Sequence, residues 1–377
     1  MKNHTFNIHQ TTVALPQKWD EIATGNIFLQ KKYLTVLEQS APENMKCFYI
    51  SMYKNNDLVG VALAQYIDAS KIESFNGKTI FCGVRQFFVN KFSAHVLFMG
   101  NNMLTGYNSF VFNGDENKLL QLLKNAKNGI VKLLKTENKK VNLCVFKDFY
   151  QEHTQNSDLI FKDYFKFTTQ PNMVFKLDKN WKTEADYKGV LVKKYRQQHN
   201  RARNKTTDIV KRRLSFEEIK TSEERLYELY LNVVKNAPFN TFFLSRNHFS
   251  ILKENLGDAF LLYGYFTEEK LIGFNTLIKN GAVMETYFLG YDDTIQKEKM
   301  LYLNMLFDMV AYSINKQFKK IIFGRTALEI KSSVGAEPII TYGYIKHENR
   351  LINTFLPTIF KQMNPKVEWQ KRSPFTN

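Results

Sequence analysis

The second half of the chain reads as three short strands, a long amphipathic helix and one further strand. β-forming residues fill stretches 259–266, 271–278 and 282–291, with turn-forming sequences between them. From 297 to 315, apolar residues recur at helical spacing on one face. The strand at 321–323 then ends in Gly324, Arg325 and Thr326. This order predicts a sheet whose carboxyl edge carries polar side chains, and open α/β sheets bind ligands at such edges.

The first half repeats this order in a shorter form. It reads as a helix at 28–40, strands at 47–53, 58–66 and 96–99, a helix at 119–135, and strands at 141–146 and 173–177. The polar stretch 178–190 separates the halves, and 377 residues suit two domains. We therefore predict an α+β protein with mixed sheets flanked by helices, divided into domains 1–180 and 181–377.

The chain is basic, with 53 basic and 36 acidic residues and a formal net charge of +17. This charge indicates either a solvated basic surface or an anionic partner, such as nucleic acid, acyl carrier protein, coenzyme A phosphates or an anionic membrane face. The amino terminus lacks an apolar segment, and no run of about 18 apolar residues occurs. We expect a cytoplasmic protein, and contact with the cytoplasmic face of a membrane remains an open alternative.

Three cysteines, Cys47, Cys82 and Cys144, are widely spaced in apolar surroundings. No CxxC pair occurs, and the seven histidines are scattered. The pattern predicts buried structural thiols, with neither a disulfide framework nor a metal site.

Several stretches resemble one protein family. They are "FLQKKYLTVLEQS" with "FYISMYKNNDLVGVALAQ", the basic "LVKKYRQQHNRARNK", and then "KLIGFNTLI", "LYLNMLFDMVAYSI" and "IIFGRTALEIKSSVGAEP". From about residue 25 to 350 the chain resembles the Fem-like predicted N-acyltransferases, GNAT-like proteins common in Bacteroidetes and related to the Fem peptidyltransferases. The resemblance implies two tandem GNAT-like domains and transfer of an acyl or aminoacyl group to an amine.

One turn departs from the GNAT pattern. Acetyl-CoA-dependent GNATs have a glycine-rich turn before the long helix, which binds pyrophosphate through backbone N–H groups. Here the turn reads "YDDTIQKEKM", with Asp292 and Asp293 and without glycine. The donor therefore stays open between acyl-CoA and an acyl carrier protein, each as a co-substrate rather than a bound cofactor. Aminoacyl-tRNA is the third option.

Acyl transfer to an amine requires a base, donors for the oxyanion and a proton for the leaving group. Glu285 lies on the third meander strand among aromatic and apolar neighbours, which would raise its pKa into the range of a base. Tyr342 and Tyr344 on the last strand are candidate general acids. The alternatives are a hydrogen-bonded strand-edge carboxylate and two core aromatics.

The substrate-binding candidates follow the strand at 321–323 or lie close to it. Arg325 and Lys331 can bind a carboxylate, sulfonate or phosphate, or else form an ion network with Glu329. We expect this edge to face the acceptor. The full set of candidates is Asn275, Arg325, Thr326, Glu329, Lys331 and His347.

The densest basic run lies at 191–213 and predicts a helix up to about residue 205. It is either a solvated face or a docking surface for an anionic donor or carrier. Its candidate residues are Lys193, Lys194, Arg196, Arg201 and Arg203.

Three function classes remain. The first is an N-acyltransferase with a phosphopantetheine thioester donor and a primary amine acceptor, for which an amino-lipid or a cell-wall precursor would be suitable. The second is a Fem-type aminoacyl transferase that uses charged tRNA, although the two long helices of a Fem coiled-coil insertion are not evident between 205 and 260. The third is a GNAT-derived binding module without catalysis.

Overall fold

A computed structural model describes residues 4–71, 94–168, 170–236, 240–363 and 369–375. The chain divides into two compact units. The first unit comprises Met1–Thr169, Thr241–Ser245 and Ile340–Lys366. The second unit comprises Gln170–Asn240, Arg246–Ile339 and Val367–Asn377.

The first unit is built on an eight-stranded mixed sheet, with strands numbered along the whole chain. Its strands are β1 (His4–His9), β2 (Met45–Lys54), β3 (Asp57–Asp68), β4 (His95–Met99), β5 (Phe110–Phe112), β6 (Leu143–Phe149), β7 (Phe165–Thr168) and β15 (Tyr342–His347). Their order is β1-β2-β3-β4-β6-β15-β7, with β5 also paired to β3. The pair β4–β6 is parallel, and its neighbours are antiparallel.

Five of the described helices belong to this unit. They are α1 (Trp19–Ile22), α2 (Lys31–Ser40), α3 (Glu116–Thr136), α4 (Thr154–Ile160) and α13 (Arg350–Met363). The side chain of Asp115 accepts a hydrogen bond from the backbone N–H of Lys118 and so caps α3. The buried side of α3 forms one core with Leu97 and Phe146 of the sheet.

The second unit is built on a seven-stranded mixed sheet. Its strands are β8 (Asn172–Lys176), β9 (Val210–Arg213), β10 (Phe260–Thr267), β11 (Lys270–Asn280), β12 (Val283–Tyr291), β13 (Lys320–Gly324) and β14 (Glu337–Ile339). Their order is β14-β8-β13-β12-β11-β10-β9. Here β12 and β13 form the parallel pair.

The helices of the second unit include the long amphipathic helix expected after the meander. They are α5 (Glu184–Val190), α6 (Lys193–Asn204), α7 (Phe216–Thr221), α8 (Glu223–Lys235), α9 (His248–Leu256), α10 (Asp293–Lys299), α11 (Leu301–Asn315) and α12 (Leu328–Ser333). The apolar side of α11 packs on Met284 and Ile321 of the parallel strands. The expected helix at 297–315 is in fact two helices, because Met300 between them adopts a left-handed conformation with φ 49°.

Two strands lie in different sheets from those that the sequence predicted. The stretch expected as the last strand of the second domain forms β15, which pairs with β6 and β7 of the first unit. Conversely, β8 was assigned to the first domain but pairs with β13 and β14 of the second unit. The division therefore falls near residue 170 rather than 180, and residues 340–366 return to the first unit.

The cysteines are described in part. Cys47 and Cys144 are free thiols, and burial raises the pKa of Cys47 to about 12 and that of Cys144 still further. Cys82 and the unassigned stretch around it lie outside the described residues. Within the described ranges, no helix is long and apolar enough to cross a membrane, and no group of three metal-ligating side chains occurs.

Candidate active site

The parallel strands β12 and β13 pair over three rungs and then diverge. The last rung joins Glu285 and Ile322. Just beyond it, Thr286 Oγ1 donates a hydrogen bond of 3.0 Å to the Ile322 carbonyl. On its other side β12 bulges against β11, where Thr276 Oγ1 donates 2.5 Å to the Phe288 carbonyl. A bulge beside diverging strands exposes backbone groups that regular pairing would occupy, as often occurs next to active sites.

Glu285 occupies the rung at which this divergence begins. Its side chain is buried, with 5% of the residue exposed. Burial raises the pKa of the Glu285 carboxyl to about 8, although a hydrogen bond with Asn280 and the charge of Lys320 act in the opposite direction. A carboxyl group with such a pKa can exchange a proton with an amine near neutral pH.

A tyrosine–histidine pair that was not predicted joins Tyr287, two residues after Glu285 on β12, to His248 of α9. The Oη of Tyr287 and the Nε2 of His248 lie 3.0 Å apart, with the two rings stacked at 5.8 Å. His248 is the first residue of α9 and is fully buried. The sequence gives no signal for this pair, because a single histidine at a helix start is usually a surface residue.

The segment after β13 contains four of the predicted substrate-binding residues. Gly324 ends the strand with φ +74°, a left-handed conformation that favours glycine. Arg325 is half-buried and Thr326 is exposed. Glu329 pairs with Arg372 at 3.0 Å rather than with Arg325 or Lys331.

Lys331 is buried instead of lying on the surface of α12. Its ammonium donates a hydrogen bond of 2.5 Å to the Phe323 carbonyl. Burial lowers the pKa of Lys331 to about 7. Alongside α12 runs a groove of about 690 Å³, lined by Gln170, Ala327, Leu328, Glu329, Ile330, Trp369 and Gln370.

Asn275 was expected near the substrate, but it belongs to a buried polar network. Its amide nitrogen donates 2.8 Å to the hydroxyl of Tyr265, which donates 2.7 Å to Asp308. Tyr265 belongs to the core cluster under α11. The structure thus places Asn275 on the opposite face of the sheet from Glu285.

The basic helix α6 is partly committed to structural contacts. Arg203 forms ion pairs with Glu184 and Asp308, and Arg196 donates hydrogen bonds to the carbonyls of Gly189 and Leu191. These two arginines are therefore used within the second unit. The remaining candidates on this helix are exposed: Lys193, Lys194 and Arg201.

Three of the candidate site residues belong to the first unit. The Tyr344 hydroxyl is buried and donates 2.6 Å to Asp158, while Tyr342 lies under the ammonium of Lys166 at 4.7 Å. His347 Nδ1 accepts a hydrogen bond of 2.9 Å from the Asn349 N–H. All three are on β15, so they do not belong to the sheet that carries Glu285.

The turn after β12 has the carboxylates that the sequence shows. Asp292 caps α10 by accepting hydrogen bonds from the backbone N–H and hydroxyl of Thr294. Arg225 and Lys270 lie 3.4 Å and 3.7 Å from the same carboxylate. Asp292 thus caps the short helix α10, whereas the long helix α11 begins after Met300 without a side-chain cap.

No protein-family model and no curated protein sequence matches the chain. Among solved structures, FemX matches with a TM-score of 0.54 at 12% identity, over 95% of this chain and 100% of its own. A conserved protein of unknown function from Bacteroides thetaiotaomicron VPI-5482 matches with a TM-score of 0.51 at 13% identity, over 90% and 99%. A tandem GNAT protein from the clavulanic acid biosynthesis pathway matches with a TM-score of 0.51 at 8% identity, over 92% and 99%.

At these identities the matches establish the fold. The chain has the α+β fold of FemX and of a tandem GNAT protein, with two mixed sheets flanked by helices. The fold expected from the sequence resemblance is confirmed.

Proposed function

We propose that the protein is an N-acyltransferase that moves an acyl group from a phosphopantetheine thioester to a primary amine. The observation that carries this proposal is Glu285, a buried carboxyl group on the last rung before two parallel strands diverge. Its pKa of about 8 suits a base that accepts a proton from an ammonium group. The fold shared with a tandem GNAT protein supports the same reaction class.

In the proposed reaction, Glu285 takes a proton from the substrate ammonium. The free amine attacks the thioester carbonyl carbon, a C–N bond forms, and the carbonyl oxygen becomes an oxyanion. Backbone N–H groups at the β12 bulge are the proposed donors to that oxyanion. The C–S bond then breaks as Tyr287 gives its proton to the leaving thiolate. The nitrogen of the intermediate, which still carries one proton too many, gives that proton to the tyrosinate and so restores the phenol beside His248. Tyr287 replaces Tyr342 and Tyr344 as the proposed acid, because those two belong to the other sheet.

The donor is proposed to be a co-substrate, either acyl-CoA or an acyl carrier protein. The segment between β12 and α11 contains Asp292 and Asp293 and has no glycine, which disfavours pyrophosphate binding there and supports the carrier protein. Exposed Lys193, Lys194 and Arg201 on α6 are the proposed contacts for the acidic surface of a carrier. The acceptor is proposed to be an amino-lipid or a cell-wall precursor, reached from the cytoplasmic face of the membrane.

Aminoacyl transfer from charged tRNA is the second candidate. The match to FemX over the whole of its length favours it, as does the capped turn that disfavours coenzyme A. Against it, the described helices between 205 and 260 are short, with 6, 13 and 9 residues in α7, α8 and α9.

The test is a Glu285→Gln variant assayed with acyl-CoA, acyl carrier protein and charged tRNA pools, with transferred groups detected by mass spectrometry. We expect kcat/KM to fall by about 10²- to 10⁴-fold with the productive donor. In the wild-type protein kcat/KM should rise with pH up to about 8, because Glu285 must lose its proton to act as a base.

An exposed carboxylate, as in Glu254→Gln, provides the control and should leave kcat/KM unchanged. Transfer activity that persists in Glu285→Gln would show that Glu285 is not the base. A wild-type protein that binds these donors without transferring any group would instead identify a binding module.

A further inference from the structure

Asn172, the first residue of β8, has a buried side-chain amide without hydrogen bonds. The residue is fully buried. Neither its amide nitrogen nor its amide oxygen has a partner within the described structure. Buried polar atoms almost always have a hydrogen-bond partner in folded proteins, so a side chain with two unmet atoms indicates a missing group.

The strand register places this amide on the same face of the sheet as Glu285. Glu285 pairs with Ile322, and Ile322 pairs with Val174. These three side chains project from one face, because directly paired residues share a face. Asn172 lies two residues before Val174 and therefore projects from that face as well. Two strand spacings and two residue rises separate the Cα atoms of Asn172 and Glu285 by about 12 Å.

The first unit provides a contrast at the equivalent position. There the row formed by Phe98, Val145 and Ile345 matches the row formed by Glu285, Ile322 and Val174. Two residues before Ile345 is Gly343, and the ring of Phe167 lies against it, only 2.5 Å from where a Cβ would be. An aromatic ring thus fills the place that the Asn172 amide occupies in the second unit.

We propose that Asn172 binds an amide group of the substrate in the Glu285 site. This inference rests on the proposed function and names a feature of its ligand. A side-chain amide offers one donor and one acceptor side by side, and a secondary amide of a ligand is complementary to both. At about 12 Å between the two Cα atoms, the ligand amide lies several bonds from the atom that meets Glu285. Two sources carry such an amide: the pantetheine arm of the donor, or a peptide bond in the acceptor.

The experiment measures binding by calorimetry, without chemistry. Pantetheine and glycylglycine represent the two sources, and cysteamine and glycine are their partners without an amide. The wild-type protein should bind one of the two amide probes more tightly than its partner. Asn172→Leu should weaken the binding of that probe by about 10- to 100-fold, which is the effect of losing two hydrogen bonds. Binding of the corresponding compound without an amide should not change. The probe that responds identifies the source.

The control variant is Asn275→Leu, which removes a buried amide from the opposite face and should leave the preference for the amide probe as it is. Asn172→Leu should melt no lower than the wild-type protein, because it removes two unpaired buried atoms. Asn172→Ala is the second variant if leucine prevents folding. The proposal is wrong if neither probe binds better than its partner, or if both Asn172 variants keep the preference.

The same preparations separate this inference from the proposed function. Glu285→Gln should lose transfer and keep Asn172-dependent binding of the amide probe. Amide binding that depends on Asn172, in a protein that transfers no group, would support the subsite and reject the enzyme. Transfer that depends on Glu285, with equal binding by Asn172→Leu, would reject the subsite alone.

Discussion

The two units share one arrangement of strands and helices but carry different side chains at the same place in it. Both sheets contain a parallel pair with a long helix between its strands in the sequence, β4–β6 around α3 and β12–β13 around α11. Both also place next to that pair a strand that comes from the other half of the chain, β15 in one and β8 in the other. This shared arrangement of strands and helices therefore does not by itself determine where a candidate active site forms.

The difference lies on the sheet face away from these long helices. In the first unit this face is apolar, with Phe98 and Val145 in one cluster. Helix α13 covers it, with Phe360 packed at 5.6 Å and 5.1 Å from the rings of Phe165 and Phe167. The corresponding face of the second unit carries Glu285 and Asn172. The first unit thus has aromatic rings, Phe98 and Phe167, at the two places that Glu285 and Asn172 occupy in the second unit.

The gap that opens where the two parallel strands of each unit stop pairing also differs between the units. In the first unit Lys147 on β6 donates hydrogen bonds of 2.8 Å and 2.9 Å to the carbonyls of Asn101 and Leu104, in the loop after β4. It also pairs with the buried carboxylate of Asp148. The matching position in the second unit is Gly324, which has no side chain to cross the gap. A lysine closes one gap and a glycine leaves the other open.

Cutting the chain at the predicted boundary should have the largest effect. Fragment 1–180 lacks β15, which lies between β6 and β7, and fragment 181–377 lacks β8, which lies between β13 and β14. Each sheet would lose an internal strand and the backbone hydrogen bonds on both its sides. We expect neither fragment alone to give a cooperative urea transition. The control is the folded full-length chain cleaved by a protease at a site inserted after exposed Asn180, which should stay folded. A fragment that unfolds cooperatively by itself would contradict the exchanged strands.

Lys147→Met should destabilise the first unit by about 3–5 kcal/mol, because it removes the cation from the buried carboxylate of Asp148. The midpoint of urea unfolding measures this. Lys132→Met, on the exposed side of α3, is the matched control and should change the free energy of unfolding by less than about 0.5 kcal/mol. Equal midpoints for the two variants would show that Lys147 does not brace the gap.

The sequence predicted the strands and helices better than it predicted which strands pair with each other. The meander and the apolar side of α11 follow from local periodicity, and the structure has both. The exchange of β8 and β15 was missed because a strand's residues show that it pairs but not with which sheet. Tyr344 was placed beside the wrong sheet for this reason.

At the candidate site, the sequence could not predict the residues whose role depends on burial or on contacts with distant parts of the chain. The position of Glu285 on the third meander strand, among aromatic and apolar neighbours, was enough to make it a candidate base. From the sequence, Arg203 is one of several basic residues on a helix that could be solvated. Its ion pairs with Glu184 and Asp308 exist only in the folded structure. Asn172 and His248 give no local signal, since their surroundings depend on strands and helices distant in the sequence.

Glu285→Gln should change how stability depends on pH. The folded-state pKa of Glu285 is about 8, above its ordinary value of 4.5. Between these values the folded protein keeps a proton that the unfolded chain has released, so the free energy of unfolding falls as the pH rises. The variant lacks this titration, and its urea midpoint should fall less from pH 5 to pH 8. Phe98→Leu, at the matching apolar position, should keep the wild-type slope. Equal slopes in Glu285→Gln and the wild-type protein would show that this carboxyl group is not buried as described.

The smallest expected effect concerns the point at which β12 and β13 diverge. The first unit pairs β4 and β6 over four rungs, ending at Met99 and Phe146, whereas the second unit pairs β12 and β13 over three. In place of a fourth rung, the Thr286 hydroxyl donates to the Ile322 carbonyl at 3.0 Å. Thr286→Val keeps the shape and removes this bond, so we expect a loss of about 1 kcal/mol in the free energy of unfolding. Thr286→Ser keeps the hydroxyl and should retain more of the stability. If valine and serine are equally stable, the hydroxyl does not hold the strands together, and the divergence begins one residue earlier than the hydrogen bond indicates.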